Sequence, residues 1–335
     1  MKFGLIGDLH LGKLDKLMGQ GVGLRRQVKL FKTQIGMLQA RGIRHAVLLG
    51  DLYDDPYPTQ ELLITLLKLL SDSSMSFLVY HGNHDWDDAE HNSLKLLREL
   101  PSAGALTNVT FISTPQVVEW CGMRLFVMPW APRYAPIKER VDLVLFHGDL
   151  IGAKRDTGMV IPDGEGIPRS FFRGMPAVSG HLHSPQRIGN IYFPGTAAQL
   201  SFGERPEKRI WFGEKTSAGV RLTNVAFEPP WRLETAVYNE DDPPACDVPG
   251  TLYSLDISKG RPGPRWLESH PLVKKTKGSD RKIQAALTEK VAELTTAPVG
   301  DASDRELLLK WLRLNTSLDK VQRARGVKID RELGA

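Results

Sequence analysis

Apolar residues in this chain come in short runs that break abruptly into Asp, His, Asn or Gly. Lys2 to His10, Ala46 to Asp54, Phe77 to Asp85, Val141 to Asp149 and Ala177 to His183 all share this layout. Short continuous runs rich in Val, Leu and Ile predict strands buried on both faces. From Arg25 to Arg41, the residues Val28, Leu30, Phe31, Ile35 and Leu38 recur at roughly helical spacing, with cations on the other side. That pattern predicts a helix covering the sheet, ended by Gly42. Thr59 to Leu70 predicts a second, packed helix, and Asp87 to Leu100 a loop and then a helix. Val109 to Ile112, Val117 to Trp120 and Met123 to Met128 predict further strands, so the class is α/β. Lys13 to Gly23 carries Gly19, Gly21 and Gly23 and reads as a mobile surface loop. No strand leads directly into those glycines and no Gly-Lys-[Ser/Thr] follows, which argues against a phosphate-cradling loop.

The polar breaks are where open α/β sheets place ligand sites, at the carboxyl ends of strands. In an extended segment residues two apart share a face, so Asp8 and His10 reach one ion while Leu9 turns back into the core. His181 and His183 repeat that spacing. Asp51 ends the second run, and its two oxygens let it bridge two ions. Asn83 offers a hard neutral oxygen, the adjacent His84 can donate a proton, and Gly82 lets the backbone turn so that both face one point. Asp54 is placed to orient a neighbour. A lone histidine is commonly a core or surface residue, but five of the nine here (10, 84, 147, 181 and 183) stand at strand ends. His91 reads as exposed and Trp130 as core.

Asp8, His10, Asp51, Asn83, His147, His181 and His183 form an oxygen and imidazole set without thiolates. It suits Mn²⁺, Fe²⁺ or Zn²⁺ in a dinuclear centre and is too rich in nitrogen for Mg²⁺ or Ca²⁺ alone. Shared at Asp51, the set divides as four and four. Two ions about 3.5 to 4 Å apart clamp a phosphoryl group and generate the attacking hydroxide, so the predicted reaction is phosphate-ester hydrolysis.

Asp8-x-His10, Gly50-Asp51-x-x-Asp54, Gly82-Asn83-His84-Asp85, His147 and Gly180-His181-x-His183, in this order, resemble the calcineurin-like metallophosphoesterases. The resemblance implies a four-layer sandwich of two mixed β-sheets flanked by helices. It implies Asp8, His10, Asp51 and His183 on one ion, and Asp51, Asn83, His147 and His181 on the other. His84 is then catalytic rather than a ligand, stabilising the transition state or protonating the leaving oxygen with help from Asp54.

Three stretches are similar to SbcD-type DNA repair nucleases: Asp8-Leu9-His10-Leu11-Gly12, Gly50-Asp51-Leu52-Tyr53-Asp54, and Tyr192-Phe193-Pro194-Gly195-Thr196 leading to Leu200-Ser201-Phe202-Gly203-Glu204. Pro129-Trp130, Lys208-Arg209-Ile210-Trp211-Phe212 and Ser303-Asp304-Arg305-Glu306 further resemble the bacteriophage recombination endonuclease subunit. This narrower resemblance implies a Mn²⁺-dependent DNA exo/endonuclease subunit of recombination and double-strand-break processing. It also implies a homodimer and an SbcC-type coiled-coil ATPase as partner. The alternative is a small-molecule phosphodiesterase or phosphatase of the same fold. A metal-stabilised scaffold that does not cut is disfavoured by the presence of both His84 and Asp54.

The motifs place a nuclease domain at 1–226 and an accessory region for DNA capping and partner binding at 227–335. Within that region Tyr238 to Gly250 reads as a linker or surface loop. The basic Lys274-Lys275-Thr276-Lys277 reads as a phosphate contact or a solvated face. Ser303 and Glu306 make a capping box, and Leu307, Leu308, Trp311, Leu312, Leu318 and Val321 form an apolar stripe that docks on its own domain or on a partner.

Composition is that of a globular protein, with 41% hydrophobic and 25% charged residues among 335. The 44 Lys and Arg exceed the 39 Asp and Glu, giving +5, which suits a polyanionic substrate. Cys121 and Cys246 lie far apart without a Cys-x-x-Cys pattern, so neither a disulfide framework nor a zinc ribbon is expected. No run of about 18 apolar residues predicts a membrane span. The candidate ligand Asp8 begins too early for a cleaved leader, so the expected location is the cytoplasm, the host's if the protein is phage-encoded.

Overall fold

The structure is a computed structural model that describes residues 1–87 and 93–277. All of these fall in one unit, Met1–Gly278. His91 and the Ser303 to Val321 stripe lie outside the described residues.

In chain order the strands are β1 (Lys2–Ile6), β2 (His45–Leu48), β3 (Ser76–Tyr80), β4 (Val109–Ile112), β5 (Gln116–Trp120) and β6 (Met123–Met128). They continue with β7 (Leu143–Phe146), β8 (Ala177–Ser179), β9 (Gln186–Ile188), β10 (Ile191–Phe193), β11 (Lys208–Thr216) and β12 (Gly219–Phe227). β13 (Arg232–Asn239), β14 (Thr251–Lys259) and β15 (Val273–Lys277) close the described chain. The helices are α1 (Asp15–Met18), α2 (Val22–Gln39), α3 (Gln60–Ser71), α4 (Lys95–Ser102) and α5 (Pro264–Ser269).

Two six-stranded mixed sheets carry the fold, ordered β12-β11-β1-β2-β3-β4 and β5-β6-β7-β8-β10-β9. β1 through β4 run parallel, as do β6, β7, β8 and β10, while antiparallel strands flank each parallel block. Phe3, Leu5, Val47, Leu78 and Tyr80 of the first sheet pack against Leu125, Val127, Leu143, Leu145 and Val178 of the second. The opposite face of the first sheet, Ile6, Ala46, Leu48, Phe77 and Val79, is covered by α2 and α3. These strands are therefore apolar on both faces, which is why their sequences run without alternation. Segments 129–142 and 149–176, including a 3-10 turn at Arg169–Phe172, cover the outer face of the second sheet.

α2 buries Leu24, Gln27, Leu30, Phe31, Gln34, Ile35 and Leu38 and begins before the predicted Arg25. The expected Lys13 to Gly23 loop is instead α1 and the first turn of α2. Asp15 Oδ1 accepts the Leu24 N–H at 2.8 Å, and a side chain on Gly23 would sit 2.3 Å from the Leu14 carbonyl carbon. The glycine there serves close packing rather than freedom of the chain. α3 starts where Thr59 accepts the Leu62 N–H, as an N-cap threonine does.

A third sheet, β13-β14-β15, follows β12. Residues 240–250 connect β13 to β14, within the expected surface loop. Trp231 donates from Nε1 to the Gln199 carbonyl at 2.7 Å, and Trp231, Leu233 and Leu252 join the core beneath the first sheet. Cys121 and Cys246 are free thiols. No helix among the described residues is long and apolar enough to cross a membrane.

Candidate metal centre

Each parallel strand that carries a polar break ends on the same side, so β1, β2, β3, β7 and β8 deliver their loops to one place. There His10 Nε2 and His183 Nε2 lie 3.1 Å apart, with Asp51 Oδ2 3.6 Å from His10 Nε2. Beside them His147 Nε2 lies 3.2 Å from the same Asp51 oxygen and 3.1 Å from Asn83 Oδ1, which is 2.9 Å from His181 Nδ1. All seven residues expected to ligate thus converge. Asp8 is fixed by accepting the His181 N–H at Oδ1, 3.0 Å away, while its buried Oδ2 has no hydrogen-bond partner among the described residues.

The outer contacts assign the imidazole tautomers. His147 Nδ1 donates to the Leu49 carbonyl at 2.8 Å and His183 Nδ1 to Glu204 Oε1 at 3.0 Å. His10 Nδ1 lies 3.3 Å from Asp54 Oδ1, and His181 Nε2 lies 3.3 Å from Asp149 Oδ1. In the neutral rings of His147 and His183 the other nitrogens are lone pairs that face Asp51 and Asn83 oxygens and His10 Nε2. Clusters of facing acceptors in a buried site repel unless a cation sits among them, and with the unpartnered Asp8 oxygen this donor set fits divalent metal.

Asp51 departs from the sequence expectation in one respect. Its Oδ1 is taken by the His84 N–H at 2.8 Å, so Oδ2 alone faces both clusters. Burial by itself would raise this carboxyl, but the adjacent His147, and then His10 and His84, hold it far below the usual carboxylate range. Burial likewise opposes a charge on His147, yet Asp51 and Asp8 raise it to about 9, so the pocket draws positive charge.

The backbone that aims these groups is kinked, not extended. His10 and Asp51 have φ of 43° and 48°, and His181 has φ of 74°. Positive φ in non-glycine residues is sparsely populated and persists only where the surroundings impose it. Here the Leu9 and His10 N–H groups both reach the Asp51 carbonyl, at 3.0 and 2.9 Å, and a γ-turn joins Leu182 N–H to the Gly180 carbonyl at 2.9 Å. Gly82 also serves close approach. A side chain there would lie 2.1 Å from Asp51 Oδ1, so its role is to let the third loop approach the second.

His84 and Asp54 meet differently from the expected pairing. His84 Nδ1 lies 3.1 Å from the Asp54 backbone carbonyl, while the Asp54 carboxylate faces His10 and is paired with Lys13 and Lys16 at 2.9 and 3.1 Å. His84 sits with His10 and Asp51 in a group whose ligand atoms all lie within 4.8 Å of one another. Trp130 is half-buried at 5.2 Å from the Trp86 ring.

Several supporting residues carried no assigned role in the sequence. Asp85 is buried and accepts N–H groups from Leu52, Tyr53 and Gly82 at 3.1, 3.0 and 3.0 Å, tying the second loop to the third. Burial, with Asp51 nearby, pushes its carboxyl up to about 7. Gln27 binds the Leu9 and His10 carbonyls, each at 2.8 Å.

Glu204 holds His183 through Oε1 and binds Lys208 Nζ through Oε2 at 2.9 Å, both acid and lysine being buried. Asp156, His183 and Glu204 also have ligand atoms within 4.8 Å. Both Glu204 oxygens are occupied by these donors and by Leu200, Ser201 and Thr196, so Glu204 supports His183 and does not form a further ion site. Its i,i+4 spacing from Lys208, in segments that carry the nuclease resemblance, is the signal the sequence offers.

Burial alone would raise the Glu204 carboxyl, but His183 and then Lys208 hold it down at about 2, from an ordinary 4.5. Because the folded value is depressed, its stabilising contribution is present above 4.5 and is lost as pH falls through about 2. Glu204→Gln leaves the buried Lys208 without its counter-charge and is expected to lower stability by about 3–5 kcal/mol. It also frees His183, and metal affinity is expected to fall about 10- to 100-fold. Denaturant unfolding and metal titration read the two effects.

No curated protein matches the chain. Residues 1–185, which hold both clusters together with Asp54 and His84, match the calcineurin-like phosphoesterases, and the chain belongs to that family.

Proposed function

We propose that this phosphoesterase is a DNA nuclease subunit, a metal-dependent phosphodiesterase that acts on DNA in recombination and double-strand-break processing. The family and the clustered ligand groups give the coarser activity, metal-dependent hydrolysis of phosphoesters. The observation that carries the finer reading is the Tyr192 to Glu204 stretch. This segment, similar to SbcD-type nucleases, lies outside the five metal-site motifs, yet it brings Glu204 to within 3.0 Å of His183.

In this reading Asp8, His10, Asp51 and His183 hold one divalent ion, and Asp51, Asn83, His147 and His181 the other, with Mn²⁺ as the metal. Bound ions supply Lewis acidity and a nucleophile at neutral pH. The chain's own contribution is positional. Leu49 and Glu204 fix the tautomers of His147 and His183, Asp149 lies 3.3 Å from His181 Nε2, and the Asp54 carboxylate faces His10. Through its carbonyl Asp54 also holds Nδ1–H of His84, so that the imidazolium would give its Nε2 proton to the leaving oxygen and return to the neutral ring. Residues 227–335 act as the accessory region that holds an SbcC-type coiled-coil ATPase, and the working unit is a homodimer.

The purified chain with Mn²⁺ is expected to degrade linear double-stranded DNA as well as a chromogenic phosphodiester. Turnover of the chromogenic ester with DNA left intact, with and without such an ATPase, would replace this reading by a small-molecule phosphodiesterase.

A further inference from the structure

α2 contains Arg25, Arg26, Lys29 and Lys32 and no acidic residue. Its buried face is committed: Leu30, Phe31 and Leu38 pack on the sheet, and Gln27 holds the carbonyls of Leu9 and His10. Arg25, Lys29 and Lys32 are exposed, and none of the four cations forms an ion pair among the described residues. Spacings of four and three place Arg25, Lys29 and Lys32 on one face of the helix.

That face borders an open groove of about 620 Å³ between α2 and α3, lined also by Leu24, Val28 and Glu61. Both helices follow segments that carry metal-site residues, and Gln27 of α2 binds the Leu9 and His10 carbonyls. α2 follows His10 by way of α1, and α3 follows the Asp54 to Thr59 loop. Lys13 and Lys16, next to the His10 and Asp54 pair, continue the basic surface towards the site. With a rise of 1.5 Å per residue, Arg25 to Lys32 spans about 10 Å. One strand of a duplex presents a phosphate about every 3.4 Å along its axis, so that span faces about three phosphates.

We propose that the α2 face of Arg25, Lys29 and Lys32 is a docking track for the phosphate backbone of duplex DNA, leading away from the metal centre. Unpaired cations with no acid on their helix complement a uniform polyanion, and the groove between two helices leaves room for a backbone strand. The inference rests on the nuclease reading and adds where the substrate lies. Phosphate contacts of this kind fix register and orientation and carry no sequence information.

The test is the triple variant Arg25→Gln/Lys29→Gln/Lys32→Gln, assayed with Mn²⁺ on a short linear DNA duplex and on a chromogenic phosphodiester. For DNA, kcat/KM is followed between about 50 and 200 mM salt. The expected result is a salt slope shallower by about 3 and DNA turnover at least about 10²-fold lower at 0.1 M salt. Chromogenic turnover stays unchanged, which also reports an intact fold. Wild-type cleavage of DNA with the variant equal to it in slope and rate would overturn the track and leave the nuclease reading standing. Equal losses on both substrates would overturn it as a docking surface. A wild-type protein that turns over only the chromogenic ester would overturn both track and nuclease reading.

Discussion

Asp51→Asn is expected to leave the fold intact and abolish the dinuclear centre. The amide can keep its carbonyl on the His84 N–H, as Oδ1 does now at 2.8 Å. Its NH₂ group then takes the place of Oδ2, facing His10 Nε2 and His147 Nε2 at 3.6 and 3.2 Å. An NH₂ donates to those lone pairs and so satisfies, without any ion, the acceptors that otherwise call for a cation. It also cannot ligate through nitrogen. Because Oδ2 is the one atom common to both clusters, the substitution weakens both sites together, and stoichiometry falls well below two ions per chain.

Loss of a Lewis acid removes several kcal/mol of transition-state stabilisation, about 10³-fold in turnover at 1.36 kcal/mol per decade. Metal analysis after gel filtration and turnover of a chromogenic phosphodiester give both numbers. A thermal melt adds a third, since an ion at about 100 times its Kd stabilises by about 2.7 kcal/mol and the variant forgoes that shift. A variant that retains two ions per chain would show that Asp51 bridges nothing.

The strands that build this site are legible because each is buried on both faces, so its apolar run is continuous and stops only where the chain leaves the sheet. The ends of those runs name Asp8, Asp51, Asn83, His147 and His181 without further information. The conformation of the loops is not legible. His10 adopts positive φ where its N–H reaches the Asp51 carbonyl, and His181, whose N–H reaches Asp8, does so in a γ-turn; nothing local to Asp-Leu-His or His-Leu-His encodes the Asp51 and Asp8 partners.

The same nonlocality hides Glu204, whose partner His183 is 21 residues away, and divides Asp54 into a carboxylate for His10 and a carbonyl for His84. Glycine is ambiguous for a related reason. Gly23 and Gly82 are explained by how closely other backbone or side-chain atoms approach, a property of the packed structure rather than of the turn. β13 escapes the sequence pattern because the apolar Val237 is exposed, which blurs alternation, and β14 because the polar Thr251 and Ser254 are buried within its run.

His84→Ala is expected to separate chemistry from metal binding. Two roles fit its position, a ligand beside His10 and Asp51 or a proton donor held by the Asp54 carbonyl. The bond at Nδ1 leaves Nε2 towards the site, as it does in His147, so it fits either role; the second is favoured because seven other residues already supply a four-and-four ligand set, and the proton then comes from Nε2–H of the imidazolium. The His84 N–H that fixes Asp51 belongs to the backbone and survives the substitution. The variant should therefore bind both ions while its turnover on DNA falls about 10²- to 10⁴-fold, the range for loss of a positioned general acid.

The leaving group supplies an independent check. A nitrophenolate departs without needing a proton, whereas a sugar alkoxide does not, so the deficit should be large on DNA and shrink on the chromogenic ester. A ligand role predicts the opposite pattern: metal content drops and both substrates suffer alike. Transition-state stabilisation by a charged His84 without proton transfer would lower both substrates with metal retained, and comparing the two deficits on fully loaded protein tells these apart.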